Sequence, residues 1–408
     1  MEKQRTIRVG FIGLGQRGSM LIDTVLACAG TEIAAVCDPY ADRVSAAAEK
    51  ARAKQKTSLA EYENYEDLLG DPRVEVVVIS ASWEEHVRIA CASMRAGKVT
   101  ALEVGGAYNS EECWRLVYTY EETKTPFMFL ENCCFDRFEL LATSLTRAGL
   151  MGEVVFCGGA YSHDLRDEIL GGRVRRHYRL PNYLHRNCEN YPTHELGPIA
   201  KLLDINRGNR METLVSLSSK AAGLEHFAST DKNPDPTLRG KKFAQGDIVK
   251  TLIRCANGEL IELMLDTTLP GYYSRRFTVR GTEGLCEQEK NAVLLDSRGE
   301  KLIDASEFEA YEPSEWRGIT EKERELGHGG MDYIMFNAFF EALRRGEEMP
   351  LDVYDAAAWM CVTALSERSI ALGGAPQPVP DFTQGKWYLR PRKDVVSFPS
   401  PSPAPPNR

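Results

Sequence analysis

The chain has 408 residues, of which 43% are hydrophobic and 27% charged, too long for one ordinary domain and balanced for globular packing. Fifty basic against 59 acidic side chains leave a net charge of −9, which repels a phosphate backbone and excludes nucleic acid as the main partner. No apolar run approaches the ~18 residues of a membrane span, and the eleven cysteines form no CxxC pair, so no disulfide framework and no metal centre is expected.

Thr6 to Ile12 reads as the first strand. The residues before it lack the apolar stretch and small-residue cleavage site of an export signal, so a soluble, cytoplasmic protein is expected. Strands over Glu32 to Cys37, Val74 to Ser80, Val99 to Leu102 and Pro126 to Leu130 alternate with helical stretches at Ser19 to Ala29, Glu84 to Ala96 and Ser110 to Thr123. That alternation predicts βαβ units and a doubly wound parallel sheet. After Glu131 strand-like runs follow one another, over 153–157, 213–219, 247–255, 259–267, 276–280 and 292–295, the pattern of an α+β domain on a largely antiparallel open sheet. The polar connection from Gly223 to Gly246 reads as a surface excursion. Two late helices are expected near Asp332 to Arg345 and Tyr354 to Leu372, the second within reach of the first domain. Nine of the 20 prolines follow Ala375, which predicts a loosely held tail. The expected division is a dinucleotide domain over 1–130, a substrate domain over 131–375 and a tail over 376–408.

The sharpest local signal is Val9-Gly-Phe-Ile-Gly13-Leu-Gly15-Gln16-Arg17-Gly18, a GxGxxG between a strand and a helix. Gly13 allows the tight turn, Gly15 lets the backbone approach a pyrophosphate, and Gly18 lets the helix pack on the strand. Asp38 ends the second strand, 38 − 18 = 20 residues after the last glycine, where a carboxylate holds the ribose hydroxyls and disfavours a 2′-phosphate. NAD is therefore the expected cofactor, with Arg17 and Arg43 the residues that favour NADP. Trp83 and His86, at the carboxyl end of the third strand and on the helix after it, join the cofactor-binding set, with packing roles as their alternatives.

With these motifs in place, the sequence resembles the glucose–fructose oxidoreductase and inositol dehydrogenase (Gfo/Idh/MocA) family. Its dehydrogenases typically carry Glu-Lys-Pro after the fourth strand, and the lysine helps move the alcohol proton. Here the triplet is Glu103-Val104-Gly105. The segments Leu130 to Cys134, Ala160 to Arg166, Asn190-Tyr191-Pro-Thr-His194-Glu-Leu-Gly-Pro198, Tyr273-Ser-Arg275 and His328-Gly-Gly-Met-Asp332 look more like the branch of NAD-dependent α-N-acetylgalactosaminidases and related glycosidases. That resemblance implies proton transfer or polarisation by Tyr161, His194 and Tyr273, sugar binding by Glu131, Arg179 and Tyr191, and cofactor contacts by Glu103 and Asn132.

The activity so implied is hydrolysis of an α-hexosaminide or related hexoside by transient oxidation at C3, elimination at C1, addition of water and return of the hydride. An unperturbed imidazole, pKa ~6.5, suits His194 to such work, at or just before a helix start with Pro198 in the first turn. A tyrosine, at ~10, needs a cationic neighbour such as Arg166, Arg179, Arg275 or Arg276. A sugar or polyol dehydrogenase is the alternative, and a non-catalytic NAD- or sugar-binding protein the second. The partner expected is a small carbohydrate, with no membrane and the oligomeric state left open.

Overall fold

The computed structural model describes residues 5–105 and 107–399. Among them two sheets form. The first takes β1 (Ile7–Ile12), β2 (Thr31–Cys37), β3 (Ala60–Tyr62), β4 (Val76–Ile79), β5 (Val99–Leu102) and β6 (Phe127–Phe129) in the order β3-β2-β1-β4-β5-β6, every pair parallel. Helices cover both faces, so its central strands are continuous apolar runs: all four residues of Val76–Ile79 are buried. The strand order reverses between β1 and β4, and ligands of such sheets sit at the carboxyl ends beside that reversal.

The second sheet is built from β7 (Val154–Ser162), β8 (Met211–Ser218), β9 (Ile248–Cys255), β10 (Leu260–Asp266), β11 (Thr278–Gly281), β12 (Gly284–Glu287), β13 (Ala292–Leu295), β14 (Ile303–Asp304) and β15 (Gln377–Pro378). Its order is β14-β13-β12-β11-β7-β10-β9-β8-β15, antiparallel except where β10 meets β7. Strand β9 alternates buried and exposed along its length, the signature of a sheet with one face on the core. Helix Val353–Ala371 lies between the domains, against helix Ser110–Thr123 on one side and β8 on the other. It is apolar around most of its circumference for that reason, with Trp359 fully buried.

Two expectations need correction, and a segment left unassigned takes a definite form. The connection after Gly223 opens with a helix, Gly223–Ser229, and buries Leu224, Phe227, Leu238 and Phe243, so the excursion is anchored to the core while its basic run 239–242 stays exposed. The basic run Arg173 to Arg179 forms short helices, Gly172–Arg175 and the start of Arg179–His185, and Arg179 is buried. The tail is not loose over residues 376–399: Val379 donates to the Glu212 carbonyl, Phe382 is buried against Trp114 with ring centroids 4.7 Å apart, and Val395 and Val396 are buried. The remainder of the proline run, from Ser400, lies outside the described residues. The Ala-rich stretch Ala41–Lys54, unassigned from sequence, is helical. All eleven cysteines are free and buried, and among the described residues no helix is long and apolar enough to cross a membrane.

Because Phe382 is 1% exposed, Phe382→Ala is expected to destabilise the protein by about 3 kcal/mol through lost burial and a residual cavity. Urea unfolding measures this, and a change under 1 kcal/mol would restore the loose-tail view.

Candidate active site

One cleft of about 840 Å³ runs from the carboxyl ends of the parallel sheet to the second domain. At its first end Gly13 has φ +90°, and a Cβ there would lie 2.5 Å from the Ala81 nitrogen, so no other residue fits. A Cβ at Gly18 would lie 2.0 Å from the Gly13 carbonyl, which is the close helix–turn packing foreseen for it. At Gly15 the nearest atom is Arg43 Nη1 at 3.8 Å, so the backbone stands open to the cleft. Helix Gln16–Ala27 has no side-chain cap and no acid in its first turn, leaving its free N–H groups and its dipole to an anion. Asp38, 3% exposed, accepts from the amides of Leu14 (2.7 Å) and Tyr40 (3.0 Å), which fix the carboxylate with lone pairs to spare for a diol. These features fit a dinucleotide: turn, pyrophosphate cradle and ribose acceptor are all present.

A strap from the second domain crosses this end. Arg176 pairs with both Asp42 oxygens (2.7 and 2.9 Å) and lies over the Tyr40 ring, while Arg43 lies on Tyr40 and donates to the Arg176 carbonyl (3.0 Å). Arg43 is thereby committed to protein contacts. So is Arg17, whose guanidinium donates to Glu103 (2.9 Å) and to both Asp332 oxygens (2.6 and 2.9 Å), with Asn132 and His328 on the same carboxylate. Burial works against the Asp332 charge, yet Arg17 and His328 hold its carboxyl well below the ordinary range. Gly327 permits this, since a Cβ there would lie 2.2 Å from Asp332 Oδ2.

At the other end stand the proton-moving groups. His194 is the second residue of helix Thr193–Leu202. Its Nδ1 meets both oxygens of Glu131 at 2.8 and 3.0 Å. Glu131 is 0% exposed and also accepts from the Cys133 amide (3.0 Å). Burial lowers the His194 pKa and the Glu131 charge only partly restores it, so the ring is neutral near pH 7 with Nδ1–H on Glu131 and Nε2 free to accept. Pro198 sits inside the helix, not in its first turn as expected, and supplies no amide for the His194 carbonyl. Tyr161 lies 5.5 Å from His194 and 4.8 Å from Tyr191 between ring centroids, and its hydroxyl meets His163 Nδ1 at 3.3 Å. Tyr273 accepts from Arg275 Nη1 (2.9 Å). Burial pushes both tyrosine hydroxyls well above 10, against the pull of Arg179 on the first and Arg275 on the second. Arg179 is caged by Trp83, Tyr191 and Tyr178 and paired with Glu168 at 2.7 Å, while its Nη1 finds no hydrogen-bond partner among the described residues.

The structure brings Gly13, Gly15, Gln16, Arg17, Asp38, His86, Glu103, Asn132, Tyr161, Arg179, Tyr191 and His194 to the cleft wall. His86 donates from Nε2–H to the Ala81 carbonyl (2.9 Å), and burial lowers its pKa to about 4, so it lines the cleft as a neutral ring. Three residues differ from expectation. Trp83 lies behind the wall, stacked on Tyr191 at 5.5 Å. A Cβ at Gly105 would come within 2.5 Å of that indole, so the glycine makes its room. Glu131 has no face on the cleft and is bonded to His194 behind its wall. Tyr273, 47% exposed, stands beside the wall rather than in it. Of the four cations offered for the tyrosines, Arg166 is spent on Asp164 and Arg276 is nearest Glu289. Sequence reasoning missed His163, Glu168 and the strap; for His163, its place two residues after Tyr161, just past the end of the same strand, was the available signal.

A dinucleotide cradle joined to a cluster of histidine and tyrosines on an open sheet defines an NAD-dependent enzyme of carbohydrate chemistry. Residues 7–130 match the oxidoreductase family with an NAD-binding Rossmann fold, and residues 135–389 the C-terminal domain of glycosyl hydrolase 109. The chain is 39% identical over 395 residues to a glycosyl hydrolase family 109 protein of Solibacter usitatus, covering 94% of this chain and 90% of the relative. It is 37% identical over 410 residues to an alpha-N-acetylgalactosaminidase of Tannerella forsythia, covering 94% and 88%. Levoglucosan dehydrogenase in complex with NADH and levoglucosan shares the fold, with TM-score 0.72, 19% identity and coverage of 92% and 100%. So does an Agrobacterium radiobacter oxidoreductase in complex with NAD+, L-tartaric acid and magnesium, with TM-score 0.68, 15% identity and coverage of 91% and 98%. The chain belongs to glycosyl hydrolase family 109. It is an NAD-dependent glycosidase.

Tyr40→Ala removes two cation contacts, each worth about 0.5–1 kcal/mol at an exposed site, and is expected to speed release of bound NAD about 5- to 10-fold. Dinucleotide lost on dilution, followed by mass spectrometry of the native protein, checks this; unchanged retention would remove the strap from the binding energy.

Proposed function

We propose that the chain hydrolyses an α-linked N-acetylhexosaminide, the N-acetylgalactosaminide named for the Tannerella relative being the first candidate, through transient oxidation at C3. The observation that carries the reading is the Glu131–His194 pair beside Tyr161 in the same cleft as the dinucleotide cradle, with Val104 in the place of a dehydrogenase lysine. When bound, NAD supplies the two-electron oxidant for the alcohol carbon and returns the same electrons at the end of the cycle.

The protein's own groups then divide the proton work. His194 Nε2 takes the proton of the C3 hydroxyl, with Glu131 fixing the tautomer and stabilising the imidazolium that forms. Tyr161 receives the C2 proton, made acidic by the neighbouring ketone. Tyr273, its oxygen accepting from Arg275, donates its own proton toward the departing C1 oxygen, and the water that adds at C1 restores it. The free Nη1 of Arg179 suits a carbonyl acceptor such as that of an acetamido group, because a buried guanidinium N–H left unpaired is costly. Trp83 and Tyr191 hold that guanidinium in place.

Turnover of an aryl α-N-acetylhexosaminide in deuterated water is expected to give product with deuterium at C2 and no net consumption of NAD. Product without deuterium sinks the C2 step, and steady reduction of the cofactor by free sugars puts the dehydrogenase alternative ahead.

A second expectation concerns pH. Since burial lowers the His194 pKa from 6.5, the acid limb of kcat/KM falls below that value. Glu131→Gln removes the charge that raises it, so the limb moves to still lower pH while kcat drops on the order of 100-fold. A limb that stays in place or moves upward shows that His194 is not the base.

A further inference from the structure

Tyr161 poses a problem that its nearest partner solves. The ring is 5% exposed, and burial holds its proton far more tightly than in water, so the phenol does not ionise ahead of the reaction. Yet a hydroxyl that keeps its proton is no base. His163 is the first residue past the end of β7, two residues on from Tyr161, with its Nδ1 3.3 Å from the Tyr161 oxygen. Its backbone amide is tied to the Asp266 carbonyl at 2.9 Å, and its ring stands edge-on to Tyr161 and Tyr273, with centroids 5.9 and 5.3 Å away. The imidazole is half-buried and lines the cleft, so it reaches both the phenol and water.

We propose that His163 is the proton partner of Tyr161, so that the pair acts as one relay: the C2 proton arrives on the Tyr161 oxygen as the original phenolic proton leaves for His163 Nδ1. The C2–H bond breaks and its electron pair stays on the sugar. One O–H bond forms and one breaks at Tyr161, which remains a neutral phenol throughout. One N–H bond forms at His163, which becomes the imidazolium, and reversal returns a proton to C2. The groups facing His163 are arranged for this change. Burial keeps it neutral at rest, Glu168 and Asp164 favour the cation once it forms, and Arg179 and His194 oppose it. The relay also explains how solvent deuterium reaches C2 through a buried phenol: it enters at the half-buried imidazole that lines the cleft.

The inference rests on the glycosidase reading for its chemistry but not for the pairing. His163→Asn offers an oxygen where Nδ1 stands, keeping an acceptor for the Tyr161 hydroxyl without the capacity to become a cation. Expected is a loss in kcat of about 100-fold or more with KM little changed, and slowed deuterium entry at C2 in the same proportion. The pH profile loses one ionisation from its acid limb. Tyr161→Phe combined with His163→Asn should be no slower than Tyr161→Phe alone. Retention of kcat within about 3-fold by His163→Asn, with thermal stability unchanged, overturns the relay.

Nitrogen-15 NMR of the resting protein tests the pairing without substrate. His163 is expected as the Nε2–H tautomer, with an Nδ1 shift that moves in Tyr161→Phe, and an Nδ1–H tautomer overturns the proposal. That measurement decides the pair even in a protein that hydrolysed no glycoside, an outcome that would overturn the function proposed above and leave the pairing standing.

Discussion

The site depends on one buried ion cluster. Arg17, on the first turn of the cofactor helix, grips Asp332 with two nitrogens and Glu103 with a third, and Asp332 also takes the Asn132 amide. These residues come from the Gly-rich turn, the end of β5, the segment after β6 and the first turn of helix Met331–Arg345. Bidentate pairing of a guanidinium with a carboxylate is directional as well as strong, so the contact sets the angle between the cofactor helix and the late helix. Both walls of the cleft are registered to it. A buried charge deprived of its partner costs several kcal/mol, so the cluster is retained whole or not at all.

The two ends of the cleft hold charge differently. The cations at the dinucleotide end each face a carboxylate, Arg17 those of Asp332 and Glu103, Arg43 that of Asp38 at 3.8 Å, and Arg176 that of Asp42. At the sugar end, burial drives His194 and His163 toward neutral imidazoles and Tyr161 toward a neutral phenol. With Val104 in place of lysine, the groups this end of the cleft offers are neutral donors and acceptors, and under the proposed cycle their charge appears only as bonds are remade. A redox-neutral cycle suits such a site, since no proton has to be delivered or discarded per turnover.

The parallel domain was legible in the five strands read from sequence and in its cofactor turn, because each central strand is a short apolar run bounded by turn residues and a Gly-rich turn between strand and helix has one main physical use. The edge strand Ala60–Tyr62 and the helices Ala41–Lys54 and Tyr65–Gly70 were not. The second sheet was legible in outline. Its short strands Gly284–Glu287, Ile303–Asp304 and Gln377–Pro378 were not, having too few residues to show a period of two. Composition misled at the tail, where prolines that cannot donate still let Phe382 and Val395 reach the core. At the site, individual residues were readable through motif and resemblance, whereas their partnerships were not: that Glu131 pairs with His194, or that Gly105 yields space to Trp83, follows from contacts between segments 63 and 22 residues apart, by 194 − 131 and 105 − 83.

The ends of the second sheet carry a different meaning. Both of its edge strands, Ile303–Asp304 and Gln377–Pro378, are two residues long, and the second includes a proline with no amide to offer. An incoming strand from another molecule would find almost no ladder to extend. The sheet is thereby closed to growth along its own hydrogen-bonding direction, and the segment that sequence composition marks as least structured is the one that seals it against fibre formation.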